Sequence, residues 1–197
     1  TLAHLDMLGE FAAFPSNHMS LVRADGAMDL YDGGLRAVDA QGAILFDHVE
    51  PAKYLDHLAE EVKPWSYMKF PFIRNLGPDN GWYRVGPLSR VSACDFIDTP
   101  LAEAERKEFK ALAGGKPSTL TMAYHWARMI ELVHAIEKIE QLLDDPDLQG
   151  TDLVTTGKRR REGVAIIEAP RGTLFHHYRV GEDDLVTMAN LIVSTTH

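Results

Sequence analysis

The sequence predicts an α+β fold, mainly α with small β-hairpins, built around a piece of a helical bundle. Three observations predict it. Met122, Trp126, Met129, Val133, Ile136 and Glu140 step by fours and threes, the period of a helix face. Asp39-Ala40-Gln41-Gly42 separates two short apolar runs, the pattern of a hairpin with a Gly-containing turn. The runs Gly163-Val164-Ala165-Ile166-Ile167 and Thr173-Leu174-Phe175-His176-His177-Tyr178 flank Ala169-Pro170-Arg171-Gly172, a second strand-turn-strand piece.

Taken in order, Met7, Leu8, Phe11 and Phe14 suit a short helix over 6–14 that Pro15 closes. Leu35–Val38 and Ala43–Phe46 form the first hairpin. Pro51 is placed to start a helix whose stripe is Leu55, Leu58 and Val62, and Pro64 ends it. From Lys69 to Pro87 the chain is aromatic and punctuated by Gly and Pro, which predicts an irregular but packed segment. Thr99-Pro100 opens a helix to about Leu112, stopped by Gly114-Gly115. Ser118 or Thr119 then caps the long helix, roughly 24 residues and ~36 Å at the standard rise, which Asp144-Asp145-Pro146 terminates. A helix of that length in a small piece belongs in a bundle.

Composition narrows the function classes. The 197 residues carry 20 Lys+Arg and 29 Asp+Glu, a net charge of −9, which argues against a nucleic-acid partner. At 45% hydrophobic and 25% charged residues the chain is globular, not disordered. One cysteine excludes an internal disulfide or a Cys-only metal site within these residues and fits a reducing, cytoplasmic setting. No run approaches the ~20 apolar residues of a membrane span. Thr1-Leu2-Ala3-His4 has no initiator Met or signal-like block, and Ser194-Thr195-Thr196-His197 follows an apolar run directly. Residues 1–197 are therefore expected to be a single domain piece from the interior of a longer protein.

Most candidate chemistry reduces to packing. Cys94 has no neighbouring cation or His in sequence and reads as a buried thiol. His125 and His134, nine apart on one helix, face opposite ways and cannot share a metal. His176 and His177 point to opposite faces of an extended chain, one of them into the core. Lys158-Arg159-Arg160-Arg161 reads as a solvated turn. The Met and Trp stripe of the long helix reads as core. The exception is Glu168-Ala169-Pro170-Arg171-Gly172. Pro170 stiffens the turn and Gly172 permits close approach, so Arg171 is held rigidly beside a buried strand, where a guanidinium needs an anion. Glu168 is one candidate for that anion and a bound ligand is the other; spacing alone leaves both open.

Glu168–Tyr178 and the closing Met188-Ala189-Asn190-Leu191-Ile192-Val193-Ser194-Thr195-Thr196-His197 together resemble the signature of [NiFe]-hydrogenase large subunits. Met7-Leu8-Gly9-Glu10-Phe11, Lys69-Phe70-Pro71-Phe72 and Tyr83-Arg84-Val85-Gly86-Pro87-Leu88 fit the same family, most closely its bidirectional, NAD(P)-linked soluble group. The resemblance covers essentially the whole chain.

It implies a nickel held by four cysteines and an iron carrying carbon monoxide and two cyanides. Those cysteines lie in two Cys-x-x-Cys motifs that are absent here, and Cys94 matches neither. By the resemblance, Arg171 stands over the open metal position, donates to a cyanide and is a candidate base in H2 cleavage. Pro170 lines the same ligand pocket, Ser194 and Thr195 bind the second cyanide, and the Leu191 carbonyl holds a structural magnesium. No side chain here is an implied metal ligand. The implied partners are a diaphorase module that reduces NAD+ and the iron–sulfur small subunit of the enzyme, with H2 as substrate. The rival within the superfamily is the metal-free, quinone-site subunit of respiratory complex I. A non-enzymatic helical interaction module would leave the Pro170-Arg171-Gly172 turn and the Ser/Thr terminus unexplained.

Overall fold

The computed structural model describes residues 11–195. Among the described residues, nine strands form three sheets, and two of the five α-helices exceed ten residues. The expectation of a mainly α fold is thus corrected: the β content is far larger than two hairpins. No described helix is long and apolar enough to cross a membrane.

The first sheet has the order β3-β2-β1-β6, with β1 Asn17–Val22, β2 Gly34–Val38, β3 Ile44–Val49 and β6 Tyr83–Arg84. The β2–β3 hairpin turns where the Asp39–Gly42 segment predicts, and the Asp39 carboxylate accepts the N–H groups of Gln41 and Ala43. β1 is buried on both faces. Met19 and Leu21 join a core with Phe175, Ile166 and Tyr54, while Val22 joins a second core with Leu88, Val91 and Ile130.

The helix expected from Pro51 to Val62 is corrected. A 3-10 turn at Pro51–Lys53 and one turn of helix, α1 Tyr54–His57, give way to β4 Leu58–Val62, which pairs antiparallel with β5 Lys69–Ile73. The 3–4 spacing is incidental, since Val62 and Leu55 are exposed while Leu58 packs beside Ile73 in the core. Tertiary pairing here overrides local pattern. The same pairing gives the first part of the Lys69–Pro87 segment a strand; the rest holds only the short helix α2 Gly77–Asn80 and β6.

α3 Pro87–Ala93 is buried at every residue. α4 Pro100–Leu112 forms as expected. The long helix, α5 Tyr124–Leu143, runs 20 residues behind a 3-10 turn at Thr121–Ala123. Ser118 does not cap it; its hydroxyl accepts the Leu120 N–H at 3.3 Å. Its buried line is Ala127, Ile130 and His134, with Trp126 and Val133 packed alongside. Met129 and Ile136 of the predicted stripe are exposed. The expected helix at 6–14 lies mostly outside the described residues; within them, Ala13 bridges Leu120.

The third sheet is β7 Glu162–Ala169, β8 Gly172–Val180 and β9 Val186–Ile192, antiparallel throughout. β7 and β8 make the second predicted hairpin. β9 is a strand the sequence reading treats only as an apolar run.

Candidate functional site

The site grows from the tip of the β7–β8 hairpin. Ala169 pairs with Gly172, which leaves Pro170 and Arg171 as a two-residue turn. Gly172 has φ +137, and a Cβ there would stand 2.4 Å from Val85 Cγ2 and 2.6 Å from the Gly86 nitrogen. Gly86, with φ +89, is equally constrained, because its Cβ would meet the Arg171 carbonyl oxygen at 2.7 Å. Two glycines thus let the turn lie directly on the β6–α3 connection.

A buried ion cluster fixes the turn from beneath. Arg90 on α3 donates to Glu131 on α5 in a fork at 2.5 and 2.9 Å, and its Nη1 donates to Glu168 at 2.8 Å. The same guanidinium donates to the carbonyls of Ala169 at 3.0 Å and Pro170 at 3.4 Å. Glu168 also accepts from the Leu21 N–H and the Thr173 hydroxyl. Burial pushes its carboxyl above the ordinary carboxylate value, against the pull of Arg90 and the other donors. Although burial opposes its charge, the two carboxylates hold Arg90 firmly protonated.

Arg171 is therefore not the partner of Glu168. It is exposed and makes no hydrogen bond or ion pair with the described residues. The β8–β9 register pairs Phe175 with Ile192; continued by two residues, it runs Ser194 alongside Thr173, one turn of backbone from Arg171. Arg171, Ser194 and Thr195 accordingly line one cavity of about 410 Å³, together with Arg84, Tyr124 and Arg128. Ser194 is buried and Thr195 exposed. Pro170 is exposed, offers its carbonyl to Arg90 and is not among the lining residues.

Leu191 lies elsewhere, on a cavity of about 430 Å³ with Glu60, Lys69 and Asn190. The Glu60 carboxylate accepts from Asn190 at 2.8 Å and faces Lys69 at 3.5 Å. A magnesium ion needs near-octahedral oxygen ligation. One carboxylate already matched by a lysine does not supply it, so the described residues do not by themselves fit that ion. Of the paired histidines, His177 is buried between the Tyr54 hydroxyl at 3.1 Å and Glu162 at 2.8 Å, and His176 meets the Tyr178 hydroxyl. Cys94 is buried and its thiol is pushed up to about 11 by desolvation. The Lys158–Arg161 run is exposed, with Arg159 paired to Asp184 and Arg161 to Glu182.

Motif and spacing alone assign no role to Arg84, Arg90 or Arg128. Arg84 stands inside the motif Tyr83–Leu88 and Arg90 two residues beyond it, which is the signal that would have found both. Nothing around Arg128 sets it apart from the other exposed positions of its helix.

No established family model matches the chain. It is 44% identical over 198 residues to the NAD-reducing hydrogenase HoxS subunit beta of Cupriavidus necator, covering 98% of this chain and 40% of that protein. It is 41% identical to a subunit of the F420-non-reducing hydrogenase vhu of Methanococcus voltae, covering 98% and 46%. The crystal structure of an NAD+-reducing [NiFe]-hydrogenase in the H2-reduced state superposes on all of this chain and 44% of its own, with a TM-score of 0.93 and 51% identity. The chain is a homologue of [NiFe]-hydrogenase large subunits. A [NiFeSe] hydrogenase of Desulfovibrio vulgaris Hildenborough shares the fold, with a TM-score of 0.62 at 19% identity over 90% of this chain. These matches favour the hydrogenase over the complex I protein. The chain spans less than half the length of the curated hydrogenase subunits cited here.

Among the described residues no cluster of three His, Cys, Asp or Glu is arranged to hold a metal. A hydrogenase nickel needs thiolates that this segment does not offer. An iron whose diatomic ligands are anionic acceptors needs something else around it: fixed donors. Among the described residues, the unpaired guanidinium of Arg171 and the Ser194–Thr195 segment bring such donor groups to the lining of one cavity.

Proposed function

We propose that residues 1–197 are a single interior piece of the catalytic subunit of a [NiFe]-hydrogenase that reversibly splits H2 and passes the electrons to NAD(P). The observation that carries this reading is the meeting of an unpaired Arg171 with Ser194 and Thr195 in one cavity. When bound, the metal pair supplies the binding and heterolytic cleavage of H2. With that group bound, Arg171 would donate to one of its cyanide ligands, and it could take up a proton from H2 only after first releasing one of its own. Its fork of donors in a fixed plane suits the donation. Pro170 keeps the turn rigid beside the ligand pocket. Ser194 and Thr195 would offer hydroxyl and backbone N–H donors to the second cyanide. The Leu191 carbonyl could serve a structural magnesium only if the rest of the subunit supplied its remaining ligands.

The partners on this reading are a diaphorase module and the iron–sulfur small subunit, while NAD(P) as acceptor goes with a cytoplasmic location. The test uses the complete large subunit in complex with the small one. H2-dependent dye and NAD+ reduction are expected, together with infrared bands of metal-bound carbon monoxide and cyanide. A stable, assembled protein with neither bands nor H2 turnover would overturn the proposal.

A further inference from the structure

In a chain of net charge −9, the cavity at the hairpin tip has three arginines, Arg84, Arg128 and Arg171, and no acidic residue among the described residues of its lining. Four arginines are buried among the described residues. Arg36 pairs with Asp47, Arg90 with Glu131 and Glu168, and Arg106 with Glu103. Arg84 has no carboxylate partner among the described residues. It is 9% exposed, stacks 4.0 Å over the Phe14 ring and donates to Thr121 Oγ1 at 3.1 Å and the Thr119 carbonyl at 3.4 Å. Arg128 has no ion pair either; its guanidinium lies 5.8 Å from the Tyr124 ring. Burying a charge without a counter-charge is costly, and three like charges on one concave surface add mutual repulsion. An anion entering the cavity relieves both.

We infer that this cavity is an anion site whose charge comes from Arg84 and Arg128 as well as Arg171, built for a compact anion with several acceptor atoms. On the proposed function that anion is the cyanide-bearing iron unit, and the occupant's identity rests on that reading. The preference for negative charge does not. Arg84, stacked and hydrogen-bonded on two sides, fixes a permanent positive potential at the inner wall. Arg128, on the outer wall, adds steering that salt will screen. The two would lower the cost of placing dianionic character beside Arg171, with no bond to the metal from either.

The site is tested with inorganic sulfate, a compact dianion, titrated calorimetrically into the metal-free complete subunit. One sulfate per subunit is expected, with affinity weakened at least ~tenfold in Arg128→Gln, since each charge-assisted contact is worth about that much. Arg84→Gln should weaken it similarly and Arg84→Lys much less, with thermal melts checking that each variant folds. Arg128→Gln binding sulfate as tightly as the unaltered subunit would overturn the proposal. So would an unaltered subunit that takes no sulfate, because a carboxylate from the remaining chain then neutralises the cavity. The occupant is tested on the metal-loaded enzyme, where Arg128→Gln should shift the infrared cyanide bands. Bands present and unshifted overturn the assignment to the iron unit. Bands missing from the unaltered enzyme overturn the proposed function instead, and leave the sulfate result standing.

Discussion

Arg90 Nη1 lies 2.8 Å from Glu168 Oε2, with the two side chains 2% and 0% exposed. That ion pair takes Glu168 away from Arg171. Glu168 is three residues from Arg171 and was a natural partner for it, yet its carboxylate is saturated by Arg90, Thr173 and the Leu21 N–H. The guanidinium on the turn is left facing a cavity while the one on α3 holds the turn in place. One arginine positions and the other is presented.

Arg90→Met should destabilise the fold by about 3–5 kcal/mol, because it leaves the buried Glu168 carboxylate, and the half-buried Glu131 beside it, without their counter-charge. Urea unfolding of the protein followed by circular dichroism measures this. A loss below ~1 kcal/mol would mean that the cluster is hydrated in solution and does not hold the hairpin tip.

The hairpins at Asp39–Gly42 and Pro170–Arg171 and the helices α4 and α5 were legible in the sequence because their signals are local: turn residues, Pro at a first turn, a sustained period. The strand β4 was not, since Leu58–Val62 becomes a strand only through pairing with Lys69–Ile73. The site divides in the same way. Arg171, Ser194 and Thr195 stand in motifs and could be singled out. Arg84 and Arg90 lie in or beside the Tyr83–Leu88 motif but show their part only when β6 and α3 are packed against the turn, and Arg128 only when α5 brings it beside them.

Gly172→Ala should cost more than ~1 kcal/mol and displace the hairpin tip. Its φ of +137 disfavours any side chain, and the added Cβ would overlap Val85 and the Gly86 backbone. In the complete enzyme, H2 turnover should fall along with stability. Thermal melts and dye reduction on the same preparation check both, and unchanged values in each would show that the turn does not rest on the β6–α3 connection.

Acid should weaken the fold through His18. Burial, with Arg84 adding to it, lowers the ring pKa to about 3, and its Nδ1 meets the Ser89 hydroxyl at 3.1 Å. The folded protein therefore binds fewer protons at this site than the unfolded chain, whose histidine titrates near ~6.5. Stability is full above about pH 6.5 and falls as pH drops towards 3, by on the order of 2 kcal/mol from this group by about pH 4.5. His18→Gln should flatten the dependence of the urea midpoint between about pH 7 and pH 4.5. An unchanged slope in the variant would assign the acid sensitivity to other groups.

Arg171→Lys in the complete enzyme is expected to remove most H2 activity while the metal centre still assembles. Lysine keeps the charge but loses the planar fork, so it cannot address two acceptors in fixed directions or place a nitrogen where the guanidinium does. Loss of one positioned transition-state donor typically lowers the rate by ~10²–10³, so activity of no more than about 1% should remain. Stability should move by no more than ~0.5 kcal/mol, because Arg171 is exposed and bonds to nothing in the described structure. Infrared bands of carbon monoxide and cyanide report assembly, and H2-dependent dye reduction reports turnover. Persistent bands with activity near that of the unaltered enzyme would reduce Arg171 to a passive turn residue. Bands and activity lost together would place its role in assembly, and the unpaired guanidinium would then serve to receive the iron unit and not to handle the proton.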